Sequence, residues 1–203
     1  MIVEGRKIRS DKKRAIGAPL TQAQYERIFV LSYLCELPMK TIGETLTLKG
    51  FEEEEVIHTF QGHLRRNLTY KSNRFMIGGL DNEPYALSGD RGHRLSMRFR
   101  SDDHEKISEL AYAMDVSVQG ATAAIITEVL RQEKVLYDIM ALLIKNNLDE
   151  TTEGQIRRLA SQIDAKSPHE YITLSMVLGY ALEKAIEEQK KVRLILDDWI
   201  KTL

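Results

Sequence analysis

Apolar and polar residues alternate over a short central stretch of the chain and then change to helical spacing. The alternating apolar positions are Leu95, Met97 and Phe99, and the polar positions between them are Arg94, Ser96 and Arg98. Such alternation predicts a strand with one buried and one exposed face. Because a lone strand needs a partner, the simplest arrangement pairs it with the same strand of a second copy across a two-fold axis. The pattern therefore predicts a dimeric two-stranded ribbon whose Arg-x-Ser-x-Arg face suits a DNA major groove.

Two amphipathic helices are predicted after this strand, separated by Asp115-Val116-Ser117. The first has Ser101-Asp102-Asp103 as its cap and carries an apolar stripe of Ile107, Leu110 and Ala111; the second carries Ile125, Ile126, Val129 and Leu130. With the strand, residues at about 92–132 resemble a ribbon-helix-helix DNA-binding domain of the MetJ/Arc/CopG class. The resemblance implies an obligate homodimer. It also implies base contacts from Arg94, Ser96 and Arg98, and backbone phosphate contacts from Ser117, Val118 and Gln119 at the second helix N-terminus.

The N-terminal third is predicted to be helical. Thr21 is a suitable cap for a first helix, Leu37-Pro38-Met39 starts a second, and Phe51–Asn67 has the spacing of a third. The segment YERIFVLSYLCELPMKTIGETL is similar to region four of sigma factors, which implies a helix-turn-helix. The third helix opens with Glu52-Glu53-Glu54-Glu55, whose charge favours a protein partner over a DNA backbone.

An internal repeat is a second interpretation of the same region. A shift of 79 residues superimposes Glu26 on Glu105, Ile28 on Ile107, Leu31 on Leu110 and Tyr33 on Tyr112. Residues 15–46 would then form a second strand-helix-helix unit. Its strand face of Ala15, Gly17 and Pro19 has no hydrogen-bonding side chain, and proline cannot donate to a ladder. We therefore favour the helix-turn-helix-like bundle.

The resulting prediction is a mainly α protein. It has a basic arm at 1–18, a three-helix helix-turn-helix-like domain at 19–68 and a linker at 69–92. The ribbon-helix-helix domain with one short β-strand follows at 93–132, and a helical assembly region at 133–203. The apolar spacing of the C-terminal helices suits a further dimer or tetramer contact or a protein partner.

Charge is distributed unevenly, although the formal net charge is only −1. Residues 1–100 contain 17 basic and 12 acidic side chains, whereas residues 101–203 contain 12 basic and 18 acidic ones. Arg65, Arg66 and Arg100 are further basic residues that could reach DNA. Because affinity for DNA depends on local phosphate neutralisation, the neutral total does not exclude a nucleic-acid partner.

Sequence motifs for catalysis, cofactors or metals are lacking, so neither an enzyme nor a cofactor is expected. The single cysteine, Cys35, rules out an internal disulfide. No apolar run reaches the length of a membrane span, and no signal core is evident, so we expect a cytoplasmic protein, nucleoid-associated if bacterial.

These observations together predict a sequence-specific double-stranded DNA-binding protein that acts as a transcriptional repressor. A plasmid or mobile-element protein for partition or conjugation would use the same surface. A protein-binding adaptor without DNA binding is the alternative from another class, motivated by the acidic run and the acidic C-terminal half.

Overall fold

The computed structural model describes residues 13–71 and 74–147, without the side chains of Leu34 and residues 144–147. The strands are β1 (Arg14–Leu20), β2 (Leu68–Tyr70), β3 (Arg74–Met76) and β4 (His93–Phe99). The helices are α1 (Gln22–Leu34), α2 (Met39–Glu52), α3 (Glu54–His58), α4 (Ser101–Met114), α5 (Val118–Arg131) and α6 (Glu133–Asn147), with a 3-10 turn at Gln61–His63. The protein is mainly α-helical, as predicted. The helices predicted beyond residue 147 lie outside the described residues.

The predicted central strand forms, but its partner lies in the same chain. β4 pairs with β1 in an antiparallel ribbon that runs from Arg14 opposite Phe99 to Leu20 opposite His93. The prediction that β4 pairs with a second copy of itself is therefore wrong. Residues 14–18 were assigned to a basic arm, which is also wrong, since they belong to β1. Their apolar alternation of Ile16, Ala18 and Leu20 is buried, and this burial accounts for the strand.

The chain contains the same strand-helix-helix unit twice. β1, α1 and α2 form the first unit, and β4, α4 and α5 form the second. The two strands and the two second helices begin and end 79 residues apart, and the first helices begin 79 residues apart. The turns between the helices also match, since Glu36 and Asp115 both have positive φ, at 53° and 59°. A pseudo-two-fold axis thus relates the units and passes between Gly17 and Ser96 at the centre of the ribbon.

The second helix of each unit packs against the strand of the other unit. α2 packs on β4, α5 packs on β1, and the two helices also pack on each other. Gly43 permits the first contact, because a Cβ there would lie 2.5 Å from Leu95 Cδ2 and 2.6 Å from Met97 Sδ. A single apolar core therefore joins the regions that the sequence analysis assigned to separate domains.

Helix α5 is the centre of this core. All residues from Ala121 to Leu130 are buried, as expected of a helix that is covered on every side. α6 follows directly after Gln132 and packs on α5, contributing Leu136 and Met140 to the same core.

The third N-terminal helix is much shorter than predicted. The sequence indicates a helix over Phe51–Asn67, but Glu53 adopts an extended conformation and only Glu54–His58 continues as a helix. Val56, Ile57, Phe60 and Leu64 are fully buried. Their spacing suits a short helix followed by a 3-10 turn as well as it suits a long helix, which is why the pattern misled. Beyond it, β2 and β3 pair antiparallel at the start of the predicted linker.

Candidate nucleic-acid interface

The exposed face of the ribbon differs between its two strands. β4 presents Arg94, Ser96 and Arg98, which are all exposed, as the alternation predicts. The opposing residues of β1 are Pro19, Gly17 and Ala15 respectively. The ribbon therefore carries one Arg-x-Ser-x-Arg set, not the two that a symmetric dimer would present. No ion pair of Arg94 or Arg98 occurs among the residues that the structure describes.

The small residues of β1 leave room for the long side chains of β4. The Arg94 guanidinium extends over Gly17, where an added Cβ would lie 3.9 Å from the nearest guanidinium nitrogen. Arginine side chains on an exposed strand carry donors in a planar fork that matches two acceptors at once. The opposing residues Ala15, Gly17 and Pro19 of β1 have no side-chain acceptor for those donors.

The outer edges of the ribbon also differ. The backbone N–H of Arg98 points away from β1 and donates to Glu44 Oε1 of α2 at 2.8 Å. The pseudo-equivalent of Arg98 is Pro19, which has no N–H, and the pseudo-equivalent of Glu44 is Ala123, which has no acceptor. Alternation along the ribbon places Pro19 where a backbone N–H would point outward, so it costs the ladder no bond. The expectation that Pro19 argues against a strand at this position is wrong, because its missing N–H would have pointed outward.

Helix α5 begins as predicted. Ser117 is its N-cap, and the Ser117 hydroxyl accepts a hydrogen bond from the Gly120 amide at 3.0 Å. A Cβ at residue 120 would lie 3.2 Å from that oxygen, so glycine suits the close approach. The amides of Val118 and Gln119, in the first turn, have no acceptor within the helix, as at any helix start. They lie at the positive end of the helix dipole, where an anion is favoured.

The corresponding helix start in the first unit was predicted at Leu37-Pro38-Met39, but not as a counterpart of the α5 start. Helix α2 begins after Pro38, which gives no side-chain cap, and its first residues are Met39 and the exposed Lys40. Gly43, which touches β4, is four residues further on, or about 6 Å along the helix. The helix start therefore lies about one turn from the ribbon. The repeat of 79 residues was the signal that could have identified it.

Arg65 and Arg66 lie beside the turn between α4 and α5. Their guanidinium groups bind the two carboxylate oxygens of Asp115 at 3.1 and 2.9 Å. Arg66 also donates to the Tyr112 carbonyl and covers the Tyr112 ring at 4.5 Å. The hydrogen bond and charge of Arg66 lower the pKa of Asp115, with a smaller effect from Arg65. Two cations therefore share one carboxylate two residues before Ser117, which leaves positive charge near the start of α5.

Arg100 is exposed and is the N-cap residue of α4, directly after β4. The predicted cap at Ser101-Asp102-Asp103 was displaced by one residue, because α4 already includes Ser101. At the same end of the ribbon, His104 has a lowered pKa because of burial and, to a smaller extent, the charge of Arg14. Arg14 lies opposite Phe99 in the ribbon and so adds positive charge to this end.

The acidic run is largely paired within the chain. Glu52 binds Lys49 at 2.7 Å, Glu54 binds Arg74, and Glu55 lies 3.7 Å from Lys134. Glu53 is the N-cap residue of α3. The run is thus less available as an acidic docking surface than its sequence indicates.

Over residues 13–71 and 74–147, no cluster of three or more metal-binding side chains occurs, and no helix is both long and apolar enough to cross a bilayer. Comparison with protein-family models, with curated proteins and with solved structures finds no match to this chain.

Proposed function

We propose that this protein binds double-stranded DNA sequence-specifically and acts as a transcriptional repressor, with the β1–β4 ribbon in the major groove. The observation that carries this proposal is the exposed Arg94, Ser96 and Arg98 set on a ribbon completed within one chain. A two-stranded ribbon has the width that the major groove admits. Guanidinium groups bind guanine O6 and N7 through two hydrogen bonds, and a serine hydroxyl can bond any base edge.

The two pseudo-equivalent helix starts are the proposed phosphate anchors. At α5, the amides of Val118 and Gln119 would donate to a phosphate, assisted by Ser117 and by the excess charge of Arg65 and Arg66. At α2, the amides of Met39 and Lys40 would do the same on the other side of the pseudo-two-fold axis. Contacts of this kind fix the register of a protein on a duplex and leave base discrimination to the ribbon.

The resemblance of residues 92–132 to ribbon-helix-helix proteins supports the same conclusion, since both units here have the strand-helix-helix order of that class. Repression requires only that the occupied site overlap a promoter. Partition or conjugation would use the same DNA surface, and no feature of the described residues favours it.

The direct test is fluorescence anisotropy with duplex fragments of the native locus at two salt concentrations. For the intact chain we expect tight binding to a subset of fragments, weakening steeply as salt increases. The variant Arg94→Ala/Arg98→Ala should lose the preference among fragments, because base contacts are removed. Val118→Pro would remove one proposed phosphate donor at a position where proline is tolerated, and should weaken all fragments alike.

A charge-matched control separates specific contacts from general electrostatics. Arg74→Ala/Lys134→Ala removes the same number of cations from the β2–β3 hairpin and from α6, where they pair with Glu54 and Glu55. It should keep the fragment preference of the intact chain. If the intact chain binds no fragment at low salt, the proposal is wrong and the protein-binding adaptor becomes the better interpretation.

A further inference from the structure

We infer that the DNA site of this protein is not a palindrome and that its two most strongly specified guanines lie on one DNA strand. The inference rests on the proposed function and concerns the symmetry of the sequence that the ribbon reads. It follows from the register of β1 against β4, which fixes the exposed residues of each half of the ribbon.

The pseudo-two-fold axis relates unlike side chains on the exposed face. It superimposes Arg94 on Ala15, Ser96 on Gly17 and Arg98 on Pro19, because counterparts are 79 residues apart. In a symmetric dimer each arginine would have an identical mate on the other strand, and the preferred DNA would repeat inverted about the axis. Here every polar side chain of the face belongs to β4, so an inverted repeat would leave half of its specified bases opposite alanine, glycine and proline.

The spacing of the two arginines sets the expected spacing of the bases. Arg94 and Arg98 are four residues apart on one strand, or about 13 Å at roughly 3.3 Å per residue. DNA rises by about 3.4 Å per base pair on each strand, so the two side chains span about four base pairs. Both project from the same side of the ribbon, towards the same wall of the groove. The expected consensus therefore has two guanines about four positions apart on one strand.

The outward-facing residues on the β1 side of the ribbon are apolar or lack a side chain. Ala15 and Pro19 are apolar, and Gly17 has no side chain, so this side can approach the base edges closely without offering a hydrogen bond. Alanine contacts the thymine methyl group in the major groove. On this side we expect weaker preference for particular bases, with thymine favoured opposite Ala15.

The difference between the strands continues in the helices that support them. Glu44 accepts the outward N–H of Arg98, whereas neither Pro19 nor Ala123 has the corresponding donor or acceptor. Ala123 thus lacks a side-chain acceptor at the position where Pro19 lacks a backbone N–H donor. Each strand is thus matched to its own supporting helix, which indicates that the ribbon is built to be asymmetric in its backbone contacts as well as in its exposed side chains.

Selection from a randomised duplex library with the full chain tests the inference. We expect a non-palindromic consensus with the two guanines on one strand. Arg94→Ala should abolish the preference at one of them and Arg98→Ala at the other, each lowering affinity for the selected site by about 5- to 100-fold. An enriched palindrome would overturn the inference and leave the proposed function intact. If no sequence is enriched over the starting library, the proposed function itself is wrong.

A symmetrised variant gives an independent readout. Ala15→Arg/Gly17→Ser/Pro19→Arg places the β4 face on both strands, and selection with this folded variant should enrich an inverted repeat that contains the original half. Circular dichroism confirms that the variant is folded before selection. An unchanged consensus would mean that β1 does not face the bases, and would contradict the inference.

Discussion

Substitution of Gly50 by alanine tests the contact on which the pairing of the two units depends. Gly50 is in α2, where that helix crosses α5, and an added Cβ would overlap a Val129 methyl and lie 2.8 Å from Ile125 Cγ2. Both partners are fully buried and β-branched, so in a helix they have essentially one χ1 rotamer and cannot turn aside. Crowding of this kind costs about 1–3 kcal/mol.

Alanine also has a favourable effect in a helix, worth about 0.5–1 kcal/mol relative to glycine. Because the partners of residue 50 are rigid, we expect the crowding to exceed this gain. The net decrease in the free energy of unfolding should be about 1–2 kcal/mol, and the Tm should fall by roughly 2–8 °C. Urea denaturation followed by circular dichroism measures the first quantity, and a thermal scan measures the second.

Gly62→Ala is the matched control, because a Cβ at residue 62 would have no atom within 4 Å. It should leave stability unchanged or raise it by about 0.4–1 kcal/mol through the unfolded chain. Adding Val129→Ala to Gly50→Ala should cost less than the sum of the single effects, by about 0.5–3 kcal/mol. Should Gly50→Ala stabilise the protein as Gly62→Ala does, α2 and α5 do not cross as described, and the paired arrangement of the units is wrong.

Three further predictions concern individual side chains. Asp115 has a lowered pKa in the folded protein, so its contribution to stability is present above its unfolded pKa and is lost as pH falls through the folded pKa. The variant Asp115→Asn, in which asparagine still tolerates positive φ, should flatten this acid dependence of stability in urea titrations. An unchanged pH profile would contradict the ion pairs of Asp115. Tyr85→Phe removes the 2.7 Å hydrogen bond to the buried Glu128 carboxylate and should lower the free energy of unfolding by about 1–3 kcal/mol. The control Tyr33→Phe, at a side chain that is 77% exposed, should change the free energy of unfolding by less than about 0.5 kcal/mol. Equal effects of the two variants would argue against the buried contact. Burial raises the pKa of the Cys35 thiol to about 11. At pH 8 the native protein should therefore react with a disulfide reagent roughly two orders of magnitude more slowly than the unfolded chain. Rapid labelling of the native protein would show that Cys35 is accessible.

The second strand-helix-helix unit could be predicted from sequence because several patterns agree there. Alternation at β4, the break at Asp115-Val116-Ser117 and the apolar spacing of both helices each indicate the same elements. At α1 the predicted cap Thr21 forms, and the structure adds Gln24 to complete a capping box. Agreement between local signals is what makes such a prediction succeed.

The first unit was harder to predict because its strand has a weak pattern. Ala15, Gly17 and Pro19 have low strand propensity, and proline usually argues against a ladder. Only the register shows that Pro19 sits at an outward position, and only the fold shows that β4 has a partner in its own chain. The repeat interpretation included this strand, but the strand's lack of hydrogen-bonding side chains on its exposed face favoured the helix-turn-helix-like bundle instead.

The ribbon joins two segments that leave the ribosome at different times. β1 precedes β4 by 79 residues, so at about 5–20 residues per second β1 waits roughly 4–16 s before its partner is synthesised. During that interval an ordinary apolar strand would offer an unpaired edge to other nascent chains. The proline, glycine and alanines of β1 make it a poor template for such pairing. The residues that made β1 difficult to recognise are thus suited to protecting a half-made protein from aggregation.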